Sequence, residues 1–455
     1  MRWLMGLAAL GGVILAGCGA PEDQDSAAAF ASRYTAAPSA PLLIRGGTVL
    51  TGAGERLDNT DVLVIDGKIE RVGEDLSAPR DARIVDAAGR YVTPGIIDVH
   101  SHLGVYASPG VDAHSDGNEA TSPNTSEVWA EHSVWPQDPG FATALAGGVT
   151  TMQILPGSAN LFGGRSVTVK NVFARTVNEM KFPGAPHGLK MACGENPKRV
   201  YGSRGSAPST RMGNMAGYRK AWIAASQYRD KRQAALDGQG EMPDRDLALE
   251  TLADVLDGEI LVHNHCYRAD EMAAMIELSR EFDYQITAFH HAVESYKIAD
   301  LLATNNICSA LWADWWGFKM EAYDGIVENV AFVDAANACA IVHSDSDIDI
   351  QRLNQEAAKA MAAGRRAGLE ISEAHALRWI TSNAAKALGI DDQTGTIRVG
   401  LNADLVIWDR TPFSVYSQAQ QVYIDGVLMY DRNDSDYQPV TDFALGRVSA
   451  PGGMQ

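Results

Sequence analysis

The sequence predicts an α/β fold: a (β/α)8 TIM barrel carrying a small β-sandwich built from both chain ends. Three features predict it. About eight apolar, β-branched runs alternate with helix-like stretches between residues 92 and 388, the texture of a parallel sheet with helices outside it. Histidines and an aspartate gather at the ends of those runs, where such barrels carry their chemistry. Short β-textured segments with Asp-Gly turns stand at both ends of the chain. No GxGxxG follows a first strand, so a dinucleotide-binding sheet has no support.

Taken in order, residues 1–18 read as a lipoprotein signal. Arg2 gives a positive start, and the apolar run over 4–14 is too short to span a bilayer. Leu15-Ala16-Gly17-Cys18 looks like the bacterial lipobox, in which Cys18 is acylated and becomes the new N-terminus. A lipidated Cys18 tethers a protein to a membrane surface without a spanning helix. Gly19 after it points to the periplasmic face of the outer membrane. Residues 19–41, rich in Ala, Ser, Pro and acids, read as a flexible tether. Residues 42–93 supply the N-terminal part of the β-sandwich, with strands over 42–50, 61–69 and 83–86 and a hairpin turn at Asp66-Gly67.

Residues 94–390 form the predicted barrel. Its strands fall at 92–102, 148–155, 167–170, 188–195, 259–265, 285–291, 306–311 and 340–345. Helices are predicted over 141–146, 215–236, 269–282, 298–303, 353–363 and 372–388. Residues 391–435 return to β texture, with a turn at Asp425-Gly426, and complete the sandwich; 436–455 is a tail.

Composition narrows the function. Acidic residues outnumber basic ones, 57 to 38, for a net charge of −19, which argues against nucleic acid as a partner. Cys193, Cys266, Cys308 and Cys339 are scattered among apolar runs. Their spacing is not that of a disulfide framework, so buried free thiols are expected. No CxxC occurs, which argues against a cysteine-only zinc site.

The chemistry centres on His100-Ser101-His102. On a strand, alternate side chains share a face, so both imidazoles point the same way. Two such rings at the end of a buried strand chelate a transition metal. His263-Asn264-His265, His290-His291 and Ser344-Asp345-Ser346 each close another apolar run. His290 and His291 point to opposite faces if their strand continues, which makes His290 a core or supporting histidine.

These residues together resemble the amidohydrolase superfamily over residues 42–430, nearest in texture to its imidazolonepropionase-like and X-Pro dipeptidase-like branch. The marks are PGIIDVHSH at 94–102, the later histidine-bearing strands, Asp345, and the ending Thr381-Ser382-Asn383-Ala384-Ala385-Lys386-Ala387-Leu388-Gly389 with Gly395, Gly400 and Ala403-Asp404-Leu405. The resemblance implies His100, His102, His265, His291 and Asp345 as metal ligands, with His263 the second choice on the fifth strand. It implies a fourth-strand ligand as well, where Glu195 is preferred and Lys190, carboxylated in binuclear relatives, competes. The implied cofactor is a divalent metal, Zn2+ as one or two ions, and Asp345 is the implied catalytic proton carrier.

The implied reaction is cleavage of a C–N bond in a small amide or dipeptide-like substrate by metal-activated hydroxide. A deaminase or N-deacetylase on the same barrel and a non-catalytic binding lipoprotein are the alternatives. The basic loop after Glu195 offers Arg199 or Arg204, with Tyr201, to a substrate carboxylate; a solvated loop is the plainer reading. Trp312-Ala313-Asp314-Trp315-Trp316 is an aromatic wall or helix packing. Partners are a small substrate and, through Cys18, a membrane. A homo-oligomer is left open.

Overall fold

The computed structural model describes residues 30–438; Cys18, the expected leader and most of the expected tail lie outside them. From Ser32 the expected tether is bonded rather than free: Ser32 Oγ donates to Lys181 O at 2.6 Å, and Tyr34 Oη to Asp425 Oδ2 at 2.5 Å. Among the described residues no helix is long and apolar enough to cross a membrane.

The chain opens with strands β1 (Leu42–Leu50), β2 (Arg56–Ile65), β3 (Lys68–Gly73), β4 (Arg83–Asp86) and β5 (Tyr91–Pro94). Next come β6 (Ile96–Ser101), β7 (Val149–Ile154), β8 (Phe162–Lys170), β9 (Gly188–Ala192), β10 (Leu261–His265), β11 (Ile286–His290), β12 (Cys308–Leu311) and β13 (Cys339–Val342). It closes with β14 (Leu405–Trp408), β15 (Ala419–Ile424) and β16 (Val427–Asp431).

Strands from both ends pair in one sheet, ordered β16-β15-β14-β5-β1-β2-β3 with β4 on β1. The first half of β1 pairs β4 and the second half pairs β5, so β1 changes partner along its length. Both Asp-Gly turns adopt left-handed backbone at both residues: Asp66 at φ 49°, Gly67 at 74°, Asp425 at 48°, Gly426 at 72°. That geometry matches the twist of the flanking strands. Gly67 is also forced by crowding, because a Cβ there would lie 2.9 Å from Asp425 O.

The other sheet, β6 through β13 in sequence order, is a nearly closed eight-stranded barrel. Asp345 N donates to His100 O at 3.0 Å, tying its last strand to its first. The strands are buried on both faces, as β6, β7, β9 and β12 are throughout, which explains their near-continuous apolar runs. One expectation fails. The barrel is not a strict repeat of β-then-α units, because β8 runs antiparallel to both β7 and β9. The short link from Leu155 to Leu161 cannot house the crossover that a parallel connection needs. The predicted 167–170 segment is the end of this longer strand.

The helix predicted over 215–236 spans Arg211–Leu236 and is capped by Thr210, whose hydroxyl accepts from Gly213 N. The free-thiol expectation is also corrected. Cys193 pairs with Cys266, and Cys308 with Cys339. Cys308 and Cys339 are register partners on adjacent strands. The other pair joins the residues just after β9 and β10. Both pairs join adjacent barrel strands although they are 73 and 31 residues apart in sequence, so spacing alone does not reveal them.

Candidate metal centre

The site lies at the C-terminal mouth of the parallel strands, where backbone bonds continue past the strand ends. Cys193 N donates to His265 O, Cys266 N to His290 O, His291 N to Ala310 O and His343 N to Leu311 O. These hydrogen bonds between backbone amides fix where each following side chain starts. Two residues at the mouth have left-handed backbone, His291 at φ 58° and Asp345 at φ 52°. Side chains other than glycine avoid this region, and its use marks positions that the surroundings over-determine.

His100 on β6 and His102 just past its end project into the barrel, as the alternation predicts. Their Nε2 atoms lie 3.3 Å apart. Asp345 Oδ1 is 3.4 Å from His100 Nε2 and 3.1 Å from His102 Nε2, and its Oδ2 is 3.5 Å from His291 Nε2. Each ring is held from behind through Nδ1: His102 by Leu155 O at 2.9 Å, His291 by His343 Nε2 at 2.8 Å, His100 by His290 Nδ1 at 2.8 Å. His265 stands beside them, 4.8 Å from His291 between ring centroids, with its Nε2 3.4 Å from Asn196 Nδ2.

His290 also points inward. The left-handed turn at His291 breaks the strand alternation, so adjacent residues reach the same space. His263 lies one layer below His265, buried, with Nδ1 2.9 Å from His290 Nε2.

On β9 it is Lys190 that reaches the cluster, with Nζ 3.3 Å from His100 Nε2. The preferred Glu195 goes elsewhere. Gly194, at φ 77°, turns the chain out of the strand, and Glu195 begins the helix Glu195–Gly202 with its carboxylate 3.6 Å from Lys319 Nζ. Closeness to the strand end is therefore misleading, because the longer lysine side chain spans from one layer down.

Burial, first, and then neighbouring positive charge hold His100, His265, His290 and His291 well below the usual histidine range. Burial also pushes His263 down to about 3, His343 to about 4 and the Lys190 amine to about 8. Burial pushes the Asp345 carboxyl up, but the hydrogen bond and charge of His102, with His343 and Lys190, outweigh it and leave the group below its ordinary value. His100, His265 and His291 are thus held as neutral imidazoles beside an anionic Asp345 carboxylate. Ring nitrogens facing one another, with their far sides occupied, form a converging set of lone pairs. That donor set fits a divalent transition metal. His100, His291 and Asp345 offer ligand atoms within 4.8 Å of one another.

Trp312 belongs to the site. It stacks on His291 at 4.4 Å, donates from Nε1 to Ser344 O at 3.0 Å, and also stacks with Trp315 at 5.4 Å. Tyr201 does not face the mouth: it is buried and its hydroxyl donates to Ser122 O at 2.6 Å. Arg204 lies over the Tyr201 ring and donates to Ala120 O. Arg199 is exposed on the helix after Glu195.

Two residues escaped the sequence reading. His343 precedes Asp345 by two, repeating the spacing of His100 and His102, and that was the available signal. Lys319, 3.8 Å above the Tyr267 ring centroid, sits in a long loop with no local pattern.

The barrel mouth thus gathers histidines, a lysine and an aspartate from β6, β9, β10, β11 and the segment after β13, a donor set that could hold a metal ion. Comparison with known proteins goes further. The Amidohydrolase family model matches residues 249–429. The crystal structure of an amidohydrolase from Thermotoga maritima is 37% identical, covers 86% of this chain and 100% of its own, and superposes with a TM-score of 0.80. Amidohydrolase tasK of Hapsidospora irregularis is 34% identical over 441 residues, which is 88% of this chain but 44% of that relative, so the chain spans under half its length. A putative prolidase from Bifidobacterium longum, 16% identical with 86% of this chain and 94% of that one covered, has a TM-score of 0.53 and shares the fold. The chain belongs to the amidohydrolase family.

Proposed function

We propose that this protein is a metal-dependent hydrolase of C–N bonds in a small amide or peptide-like substrate. The convergence of three Nε2 atoms and the Asp345 carboxylate at the barrel mouth carries the reading. His100, His102, His265, His291 and Asp345 would hold the metal, Zn2+ by the chemistry of the donors. Lys190 replaces Glu195 as the fourth-strand ligand in this assignment, since its amine lies beside His100 and burial lowers its pKa to about 8. A divalent metal bound there supplies a Lewis acid and shifts the pKa of water from about 15.7 towards about 7.

The chain's own residues do the rest. Asp345, kept anionic beside His102, takes the proton of the attacking water and returns it to the leaving nitrogen. Trp312 fixes the His291 ring and walls one side of the site. Arg199 remains the candidate for a substrate carboxylate, being exposed and close enough for its charge to act on Lys319. The sheet formed by both chain ends is read as the small β-domain beside the barrel. An exported, Cys18-anchored protein suits the two disulfides, which persist in oxidising compartments.

The test is Asp345→Asn, assayed on dipeptides, lactams, N-acetyl sugars and aminated heterocycles. Bound metal should remain, and turnover should fall by about 10²- to 10⁴-fold. Turnover within a few-fold of the parent overturns the role given to Asp345.

A further inference from the structure

His290 is fully buried, lies outside the ligand set assigned above although its ring nitrogens also group with those of His100 and His343, and is within hydrogen-bond distance of two histidines. Its Nδ1 lies 2.8 Å from His100 Nδ1, and its Nε2 lies 2.9 Å from His263 Nδ1. His263 Nε2 has no hydrogen-bond partner among the described residues. Three buried rings thus run in a line from the mouth of the barrel into its core.

A neutral imidazole carries one N–H and one lone pair. The line then admits two proton arrays in which both contacts are hydrogen bonds. In one, His100 Nδ1–H donates to His290 Nδ1 and His290 Nε2–H donates to His263 Nδ1. His100 Nε2 is then bare, facing His102, Lys190 and Asp345. In the other, every proton sits on the opposite nitrogen, and His100 Nε2 carries a hydrogen where a metal would bind. Only the first array makes His100 a ligand. The neighbouring His102 shows the same logic with a group that can only accept, the carbonyl of Leu155.

We propose that His290, backed by His263, is a positioning residue that accepts the Nδ1–H of His100 and so presents its Nε2 lone pair to the metal. This rests on the metal-centre reading above. The usual partner behind a metal-binding histidine is a carboxylate, a carbonyl or water. A neutral imidazole there fixes the ring without adding negative charge beneath the metal. His263 supplies the acceptor that keeps the His290 proton on Nε2.

The test measures metal dissociation constants of the whole protein by chelator competition, with the visible spectrum of the Co2+-loaded form as a second readout. His290→Leu removes the acceptor and should weaken binding about 10- to 100-fold, the usual cost of losing such a partner. His290→Gln keeps an acceptor and should recover to within a few-fold. His263→Leu should weaken binding less, and should add nothing in the His290→Leu background. It also serves as the independent probe if Leu at 290 prevents folding. The Co2+ bands should shift with His290→Leu and return with His290→Gln. Unchanged binding in His290→Leu, no recovery with Gln, or equal effects of His263→Leu in both backgrounds overturns the relay alone. A parent protein that binds no metal overturns the metal centre itself, and the relay with it.

Discussion

Lys170, at the end of β8, is almost fully buried between two carboxylates, and its loss should be costly. Its Nζ lies 2.9 Å from Asp425 Oδ1 and 3.4 Å from both Asp404 oxygens. Asp404 is 2% exposed and is otherwise bonded to Thr394 Oγ1 at 2.9 Å and Asp425 N at 2.9 Å. Lys170→Met leaves those carboxylates facing each other without a cation. Breaking a buried pair in this way costs about 3–5 kcal/mol. At about 2 °C per kcal/mol for a chain of this size, the melting temperature should drop by roughly 6–10 °C. The pH dependence follows from Asp404. Burial raises its pKa, Lys170 lowers it and Asp425 raises it, with a net upward shift. Removing the lysine raises it further. A carboxyl with a raised folded pKa binds more protons folded than unfolded, so its stability is present at low pH and lost as pH rises through the folded value. The Lys170→Met defect should therefore be largest near about pH 8 and shrink towards about pH 5. Scanning calorimetry of both proteins across that range is the assay. A melting temperature within about 1 °C of the parent at pH 8, or a gap that does not change with pH, refutes the reasoning.

The Cys193–Cys266 bond closes a separation of 73 residues, for which chain entropy gives about 4 kcal/mol. Cys193→Ala with Cys266→Ala should lower the denaturant midpoint accordingly, and a midpoint equal to the parent's contradicts the pairing. Growth in radiolabelled palmitate should label the full-length chain and lose the label in Cys18→Ala; absence of label, or label that survives the substitution, ends the lipid-anchor proposal.

Much of the site was legible because it depends on strand periodicity. His100 and His102 share a face through the two-residue repeat of β6, and Asp345 stands at the end of the last barrel strand as the resemblance implied. What escaped depends on local breaks in that periodicity. His290 and His291 both face inward because of one left-handed residue. Glu195 is carried away by the left-handed Gly194, and Lys190 reaches up from the layer below. The Asp-Gly hairpins were readable because two residues determine them. The antiparallel β8 was not, because direction follows from the length of a link rather than the pattern of a strand. Tyr201 read as a site residue from its place in a basic loop, yet its hydroxyl found a buried carbonyl that no local signal announces.

The account turns on the converging ring nitrogens at the barrel mouth, and metal analysis of protein purified without chelator tests it most directly. At least one equivalent of a divalent transition metal per chain is predicted, with near-complete loss in the His100→Ala, His102→Ala double variant. Folded parent protein with no stoichiometric metal, or a double variant that retains it, contradicts the account.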